Sequence, residues 1–247
     1  MDVYVVSHRE AKIISTDYLK PLHVGSIGQA AIPGYARDDC GDNISDRNYS
    51  YCELTGLYWI WKNTVSDVAG LCHYRRYFSP FELPKGCFFG DSFETIETVL
   101  KNDPLGVGLN VGGADTDIIV ARKYDLKTFI DRSHIENTRT RLNSVWFVML
   151  NALYNAQRGE FYEARDFFSS ESFLYPCNMF IAKRKVINEY CEWLFSILFE
   201  FEKLMAFYPK EEMERTCGYL GEMLFTWWVH SRKLAVSTRP VFFVVDA

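Results

Sequence analysis

The chain has no apolar run approaching the roughly 18 residues needed to span a bilayer. It opens on the apolar stretch Met1-Asp2-Val3-Tyr4-Val5-Val6-Ser7, without the pattern of a signal peptide. A cytoplasmic protein is expected, with peripheral association at the cytoplasmic face of the inner membrane left open. Excess positive charge is also missing. With 27 Lys and Arg against 32 Asp and Glu, the net charge is −5, which argues against a general nucleic-acid binder. The seven cysteines, Cys40, Cys52, Cys72, Cys87, Cys177, Cys191 and Cys217, are scattered, with neither a CxxC pair nor zinc spacing. They read as free thiols in a reducing, intracellular setting. There is no G-x-S-x-G elbow, no P-loop, no G-x-G-x-x-G after a strand and no HExxH helix. Repeats, low-complexity segments and a clear linker are lacking as well. The 247 residues therefore read as one domain, 1–247.

What the chain does have is aromatic residues, 16% of the total, and an alternation of strand-like and helix-like runs that points to an α/β domain. Val3 to Ser7 reads as a buried strand ending in Ser7-His8-Arg9. A loop punctuated by Pro21, Gly25, Gly28, Pro33 and Gly34 follows. A helix is expected from Ser45 or Ser50 to about Asn63, with Tyr51, Leu54, Tyr58 and Trp61 on one face and Ser50 and Glu53 as a capping box. Val68 to Cys72 reads as a short buried strand, residues 79–92 as loop, and Phe93 to Lys101 as helix. Strands are expected at Gly106 to Val111, Asp117 to Ala121 and Asn178 to Ala182. Residues 125–160 read mainly as helix. The clearest helix is 186–205, with an apolar stripe through Ile187, Tyr190, Cys191, Leu194, Ile197, Leu198 and Phe201. A last helix covers Gly218 to Arg232, before strands at Leu234 to Ser237 and Val241 to Val245.

The second strand empties abruptly into His73-Tyr74-Arg75-Arg76. Open α/β sheets build ligand sites at such strand ends, and arginine forks suit phosphate oxygens. On an extended segment the two arginines point to opposite sides, so that one reaches a ligand while the other pairs with a protein carboxylate; a salt-bridged strand end with a satisfied His73 is the equally weighted alternative. The turn holding Asp38, Asp39, Asp42, Asn43, Ser45 and Asn48 is dense in short polar side chains, for which capping is the first reading. Asp115-Thr116-Asp117 has the form of a metal-binding DxD but precedes its strand instead of ending one. Glu222, within Gly218-Tyr219-Leu220-Gly221-Glu222-Met223-Leu224-Phe225, has apolar helical neighbours that would raise its pKa and suit a general base. Pairing with Arg75 or Arg76 is its alternative. Asn178, after Tyr175-Pro176-Cys177, reads first as part of an ordinary turn.

The segments from Asp38 to Asn63, Gly70-Leu71-Cys72-His73-Tyr74-Arg75-Arg76-Tyr77-Phe78, Tyr175 to Arg184 and Gly218 to Phe225 resemble, in the same order, a bacterial family of capsular and exopolysaccharide biosynthesis glycosyltransferases long described as a domain of unknown function. The family is related to the galactofuranosyltransferase module of a bifunctional O-antigen polymerase. The resemblance implies a GT-A-like nucleotide-binding fold, a central mixed sheet flanked by helices. It implies an inverting hexosyltransferase that moves a sugar from a UDP-linked donor, with UDP-galactofuranose as the candidate, to a surface polysaccharide or lipid-linked acceptor. On this reading Ser7, His8, Asp42, Asn43 and Ser45 hold nucleoside and ribose. His73, Tyr74, Arg75 and Arg76 hold the diphosphate in the place of a DxD, and Asn178 touches sugar or acceptor. Glu222 is the first choice for the base and Asp166 the second. No cofactor is fixed. A divalent ion, Mn or Mg, stays open because Asp38, Asp39, Asp42, Asp115 and Asp117 are all candidate ligands. The chain departs from the family between His134 and Ser172, and Met223 stands where an arginine is expected. A non-catalytic glycan- or nucleotide-sugar-binding subunit on the same fold is the alternative. A hydrolase lacks the paired carboxylates or metal cage it would need.

Overall fold

The structure, a computed structural model, describes residues 1–103, 116–125 and 145–246. Its centre is a sheet in the order β11-β7-β10-β4-β1-β2-β3. The strands are β1 (Asp2–Ser7), β2 (Leu19–His23), β3 (Ala36–Arg37), β4 (Val68–His73), β7 (Ile118–Ala121), β10 (Phe180–Lys183) and β11 (Val236–Arg239). β1 runs parallel to β2 and β4, and β10 is antiparallel to both β4 and β7. β7 therefore points the same way as β4. At the carboxyl end of β4, β5 (Arg76–Phe78) turns back and pairs with β12 (Val241–Val244), which also pairs with β6 (Phe88–Asp91). A small separate ribbon joins β8 (Tyr124–Asp125) to β9 (Phe173–Leu174).

Strand alternation divides the core. Tyr4 and Val6 face one side of the sheet, with Leu71, Val120 and Phe180. Val3 and Val5 face the other, with Cys72, Ile119 and Ile181. The first face is covered by α2 (Leu54–Asn63), α4 (residues 145–156), α6 (Arg184–Leu204) and α7 (Thr216–Ser231). The second is covered by α3 (Phe93–Lys101), which buries Phe93, Ile96 and Leu100 and starts with Ser92 capping the Thr95 amide at 3.2 Å. α6 buries the predicted stripe, Ile187, Tyr190, Leu194, Ile197, Leu198 and Phe201 among it. α7 is buried on nearly every side, from Thr216 to Val229, as expected of a helix with apolar residues all round. Two short helices, α1 (Asn48–Tyr51) and α5 (Phe161–Ser170), pack against it from either end.

Several expectations change. β2 lies inside the predicted loop; Pro21 suggested a break, yet β3 pairs only with Leu22 and His23, so the proline lies beyond the end of that pairing. β6 lies inside the predicted 79–92 loop because its partner β12 is remote in sequence. The capping box is absent. Ser50 belongs to α1 and its hydroxyl accepts from the Cys217 amide at 3.5 Å, while Glu53 stands at the α2 N-cap without a capping bond. The strand expected at Gly106 to Val111, and residues 126–144 of the expected helix, lie outside the described residues. All seven cysteines are free.

The polar turn is structural first. Asp38 is fully buried. Its carboxylate accepts from the Gly25 amide (2.9 Å), the Ser26 amide (3.1 Å), the Ser26 hydroxyl (2.9 Å) and the Ser45 hydroxyl (2.6 Å). Beside it, Asp39 receives a two-pronged hydrogen bond from Arg37. This carboxylate ties the end of β2 to the segment leading into α1. Asp38→Ala is expected to lower unfolding free energy by on the order of 3 kcal/mol, because several buried donors lose their acceptor at once. Denaturant unfolding of the variant measures this.

Candidate active site

The carboxyl ends of β1, β2 and β4 and the amino end of β10 meet at one edge of the sheet, where such folds place ligands. β4 ends in a tight hairpin. His73 pairs with Arg76, so Tyr74 and Arg75 form a two-residue turn. The sequence suggested an extended run with its arginines on opposite sides; the hairpin instead brings both guanidiniums within 6 Å of the Phe243 ring, at 5.0 Å for Arg75 and 5.8 Å for Arg76. Arg75 Nε is buried without a hydrogen-bond partner. Neither arginine forms an ion pair among the described residues.

Behind the hairpin lies the segment before β10. Cys177 and Asn178 are two consecutive non-glycine residues with left-handed backbone, φ 72° and 50°. Such conformations are costly and persist only where surrounding contacts impose them. Here those contacts are visible. The Cys177 carbonyl lies 2.7 Å from His73 Nε2; because a carbonyl only accepts, Nε2 carries the proton. The Cys177 amide donates to Glu222 Oε1 at 2.8 Å. Asn178 Nδ2 donates to Glu53 Oε1 at 2.7 Å and to the Gly218 carbonyl at 2.9 Å.

Two glycines on α7 make this approach possible. A Cβ at Gly221 would lie 2.8 Å from Leu54 Cδ1 and 3.1 Å from Asn178 Oδ1, and one at Gly218 would lie 3.3 Å from Cys52 Cβ. The Gly218-Tyr219-Leu220-Gly221-Glu222 run therefore carries its glutamate against the start of α2.

The electrostatics follow from this crowding. Burial, reinforced by the charge of Glu53, pushes Glu222 from the usual 4.5 up to about 7. Burial lowers His73, against a smaller opposing effect of Glu53, so its imidazole is neutral with Nδ1 as the free acceptor. Burial pushes the Cys52 thiol up to about 12 and Cys177 higher still, which leaves neither as a thiolate nucleophile. Positive charge rings the carboxylates. Arg76 and Arg215 both act on Glu222 and His73. Arg215 starts α7 in a left-handed conformation, φ 58°, with its amide on the Tyr49 carbonyl at 2.9 Å.

The structure brings together His73, Arg76, Asn178 and Glu222. His8 and Tyr74 form a neighbouring lip, with ring centroids 6.4 Å apart and Arg9 Nη2 3.4 Å from the Tyr74 hydroxyl. Ser7 lies at the same edge, but its hydroxyl donates to the Arg9 carbonyl at 2.6 Å and so shapes that lip. Asp42, Asn43 and Ser45 are engaged within the polar turn. Asp42 accepts from the Tyr58 hydroxyl at 3.0 Å, Asn43 donates to the Gly41 carbonyl at 2.9 Å, and Ser45 is bonded to Asp38. Asp166 is not part of the cluster. It is exposed on α5 and pairs with Arg165 at 2.7 Å, while its neighbour Phe167 packs on Trp227 and His230 at the far end of α7. Asp117 bonds Lys183 at 2.9 Å and precedes β7, at the opposite edge of the sheet from His73. Asp115 lies outside the described residues. Among the described residues, no group of three or more His, Cys, Asp or Glu is arranged to hold a metal ion. Sequence reasoning missed Glu53, whose signal was masked by its plausible capping role beside Ser50.

Over residues 2–233 the chain matches the family described as Domain of unknown function (DUF4422). It belongs to that family. No curated protein matches it. Among solved structures, this DUF4422 chain is similar to the apo structure of WbbM, a bifunctional glycosyltransferase, with 27% sequence identity and a TM-score of 0.82. The match covers 99% of this chain and 45% of that one, so the chain spans less than half of WbbM's length. The mixed α/β architecture is that of a GT-A-like glycosyltransferase fold. No described helix is long and apolar enough to cross a membrane.

Holding a carboxylate at about 7 against a usual 4.5 costs folding free energy on the order of 3 kcal/mol once the group is ionised. The sign follows from the raised folded pKa: the cost develops as pH climbs from the unfolded value through 7 and is absent below it. Glu222→Gln should therefore raise the melting temperature by several degrees at pH 8 and by little at pH 5. Calorimetry of both proteins at the two pH values checks this; an equal shift at both would contradict the buried-carboxylate assignment.

Proposed function

We propose that the chain is a single-domain, inverting glycosyltransferase that moves a hexose from a nucleotide-sugar donor to a surface-polysaccharide or lipid-linked glycan acceptor. The donor is UDP-linked, with UDP-galactofuranose as the first candidate. The observation that carries this reading is Glu222, a buried carboxylate with proton affinity near neutrality, beside the unpaired Arg76 at the ligand edge of the sheet. The family match and the likeness to WbbM, a bifunctional glycosyltransferase, support it.

In this mechanism Glu222 takes the proton of the acceptor hydroxyl as that oxygen bonds to the sugar's anomeric carbon. The bond from that carbon to the diphosphate breaks, and the nucleoside diphosphate leaves with its electron pair. Negative charge grows on the leaving phosphate, where Arg76 and Arg215 stabilise it by position and charge. Neutral His73, fixed by its bond to the Cys177 carbonyl, offers Nδ1 as an acceptor for a sugar or phosphate-bound proton. Tyr74, Arg75, His8 and Ser7 form the rim toward the nucleoside. Asn178 acts from behind the sugar through the backbone it shares with Cys177. The carboxylates of Asp38, Asp39, Asp42 and Asp117 already serve internal hydrogen bonds, so guanidinium groups are the first candidates to neutralise the diphosphate.

Thermal stability against UDP, UDP-sugars and other nucleotides, each with EDTA and with manganese, tests the donor half. A UDP-induced rise that survives EDTA and weakens about tenfold or more in Arg76→Ala is expected. Manganese dependence would assign the diphosphate to a metal, and no shift with any nucleotide would overturn the reading. For the chemical half, Glu222→Gln should lower kcat by about 10²–10⁴ while donor binding persists. Donor binding with no transfer by the unsubstituted protein to any glycan acceptor would favour a binding subunit.

A further inference from the structure

Glu53 takes no part in the reading above, yet it lies at the centre of the cluster. It stands at the N-cap of α2 and makes no bond to the first helical amides. Its Oε1 instead accepts Asn178 Nδ2 at 2.7 Å. The same Nδ2 donates to the Gly218 carbonyl at 2.9 Å, one turn before Glu222 on α7. The residue before Asn178 closes the loop, its amide 2.8 Å from Glu222 Oε1. Two carboxylates from two helices are thus held by adjacent residues of one strained segment, and the glycines at 218 and 221 admit the approach.

We propose that Glu53 is a positioning residue for Glu222: through Asn178 it fixes the left-handed segment whose Cys177 amide holds the Glu222 carboxyl. Its charge adds to the effect of burial in opposing ionisation of Glu222. The proposal rests on the reading of Glu222 as the base. Its chemistry is that of paired carboxylates, in which ionisation of one opposes ionisation of the other. The groups facing the pair come from every element packed around it. Cys52 precedes Glu53, His73 ends β4, Arg76 begins β5, Cys177 lies on the clamp, and Arg215 begins α7. Both thiols are held protonated and His73 is neutral, so across neutral pH the charges bearing on Glu222 are those of Glu53, Arg76 and Arg215. Removing either arginine would strengthen the hold on the proton. Removing the Glu53 charge would weaken it, while burial continues to favour the protonated form.

The test is a carbon-13 NMR titration of the Glu222 side-chain carboxyl in the full chain, assigned by its disappearance in Glu222→Gln. Glu53→Gln keeps an oxygen for Asn178 Nδ2 while discarding the charge. The Glu222 midpoint is expected to fall by about one pH unit in that variant, and Glu53→Asp, which keeps the charge, should restore most of the difference. The acid limb of kcat/KM should move down with the midpoint. A purely structural role for Glu53 would lower activity at all pH values and leave the limb in place. In the unsubstituted protein, the Glu53 carboxyl resonance should show a step at the pH where Glu222 titrates, a measurement that does not depend on any variant folding. An unmoved midpoint in Glu53→Gln, or no step at Glu53, would overturn the proposal. Full turnover by Glu222→Gln with the midpoint still moving would instead overturn the base assignment and leave the coupling standing.

Discussion

The site depends on one constraint: the backbone at Cys177 and Asn178 is held left-handed by groups from three different elements. His73 from β4 holds the carbonyl of residue 177, Glu222 from α7 holds its amide, and Glu53 from the start of α2 holds the side chain of residue 178. None of these bonds is local in sequence. Each fixes the next, so sheet edge, helix start and buried helix register against one another through about two residues of chain. Strain of this kind persists only when it is over-determined, and here the groups that impose it include the residue proposed as the base.

Burial explains the division of labour around that point. The cationic groups lie on short, partly exposed connections: the Tyr74-Arg75 turn, the first residue of β5 and the residue before α7. The carboxylates lie at the N-cap of α2 and on α7. Burial makes Glu222 resist ionisation, while guanidiniums stay charged. A charged phosphate would therefore meet cations first and find the proton acceptor behind them. The same depth keeps Cys52 and Cys177 protonated, so two thiols beside the site add packing and no competing nucleophile.

Much of this was legible in the residues. Val68 to Cys72 is apolar and short, and the change of character at His73 marks a strand end whatever the fold. Glu222 is flanked at helical spacing by glycine and aromatic residues, which is the signature of a buried carboxylate. The stripe of α6 is nearly unmistakable. Other features were hidden for physical reasons. β2 contains Pro21, and β6 is paired by a strand some 150 positions later in the chain, so neither has a local signal. Glu53 follows Ser50 at capping spacing, and only the tertiary fold shows that Asn178 claims it instead. The turn from Asp38 to Ser45 announced itself as polar, but composition could not separate a ligand site from a carboxylate that satisfies its own backbone. Left-handed cysteine has no sequence signature at all.

The enclosure of α7 carries a consequence for how such a site could change. A helix covered by α1, α2, α5 and α6 has no direction in which to swing, so Glu222, if it is the base proposed above, is a fixed point to which substrates would be brought. Adaptation to a different sugar or acceptor then falls to the surrounding rim: the residues after β1, the β4–β5 turn, and whatever borders the open side. Those pieces can be exchanged without unseating the centre. On the proposed reading, a domain organised in this way could diversify its substrates while its proton acceptor stays where it is.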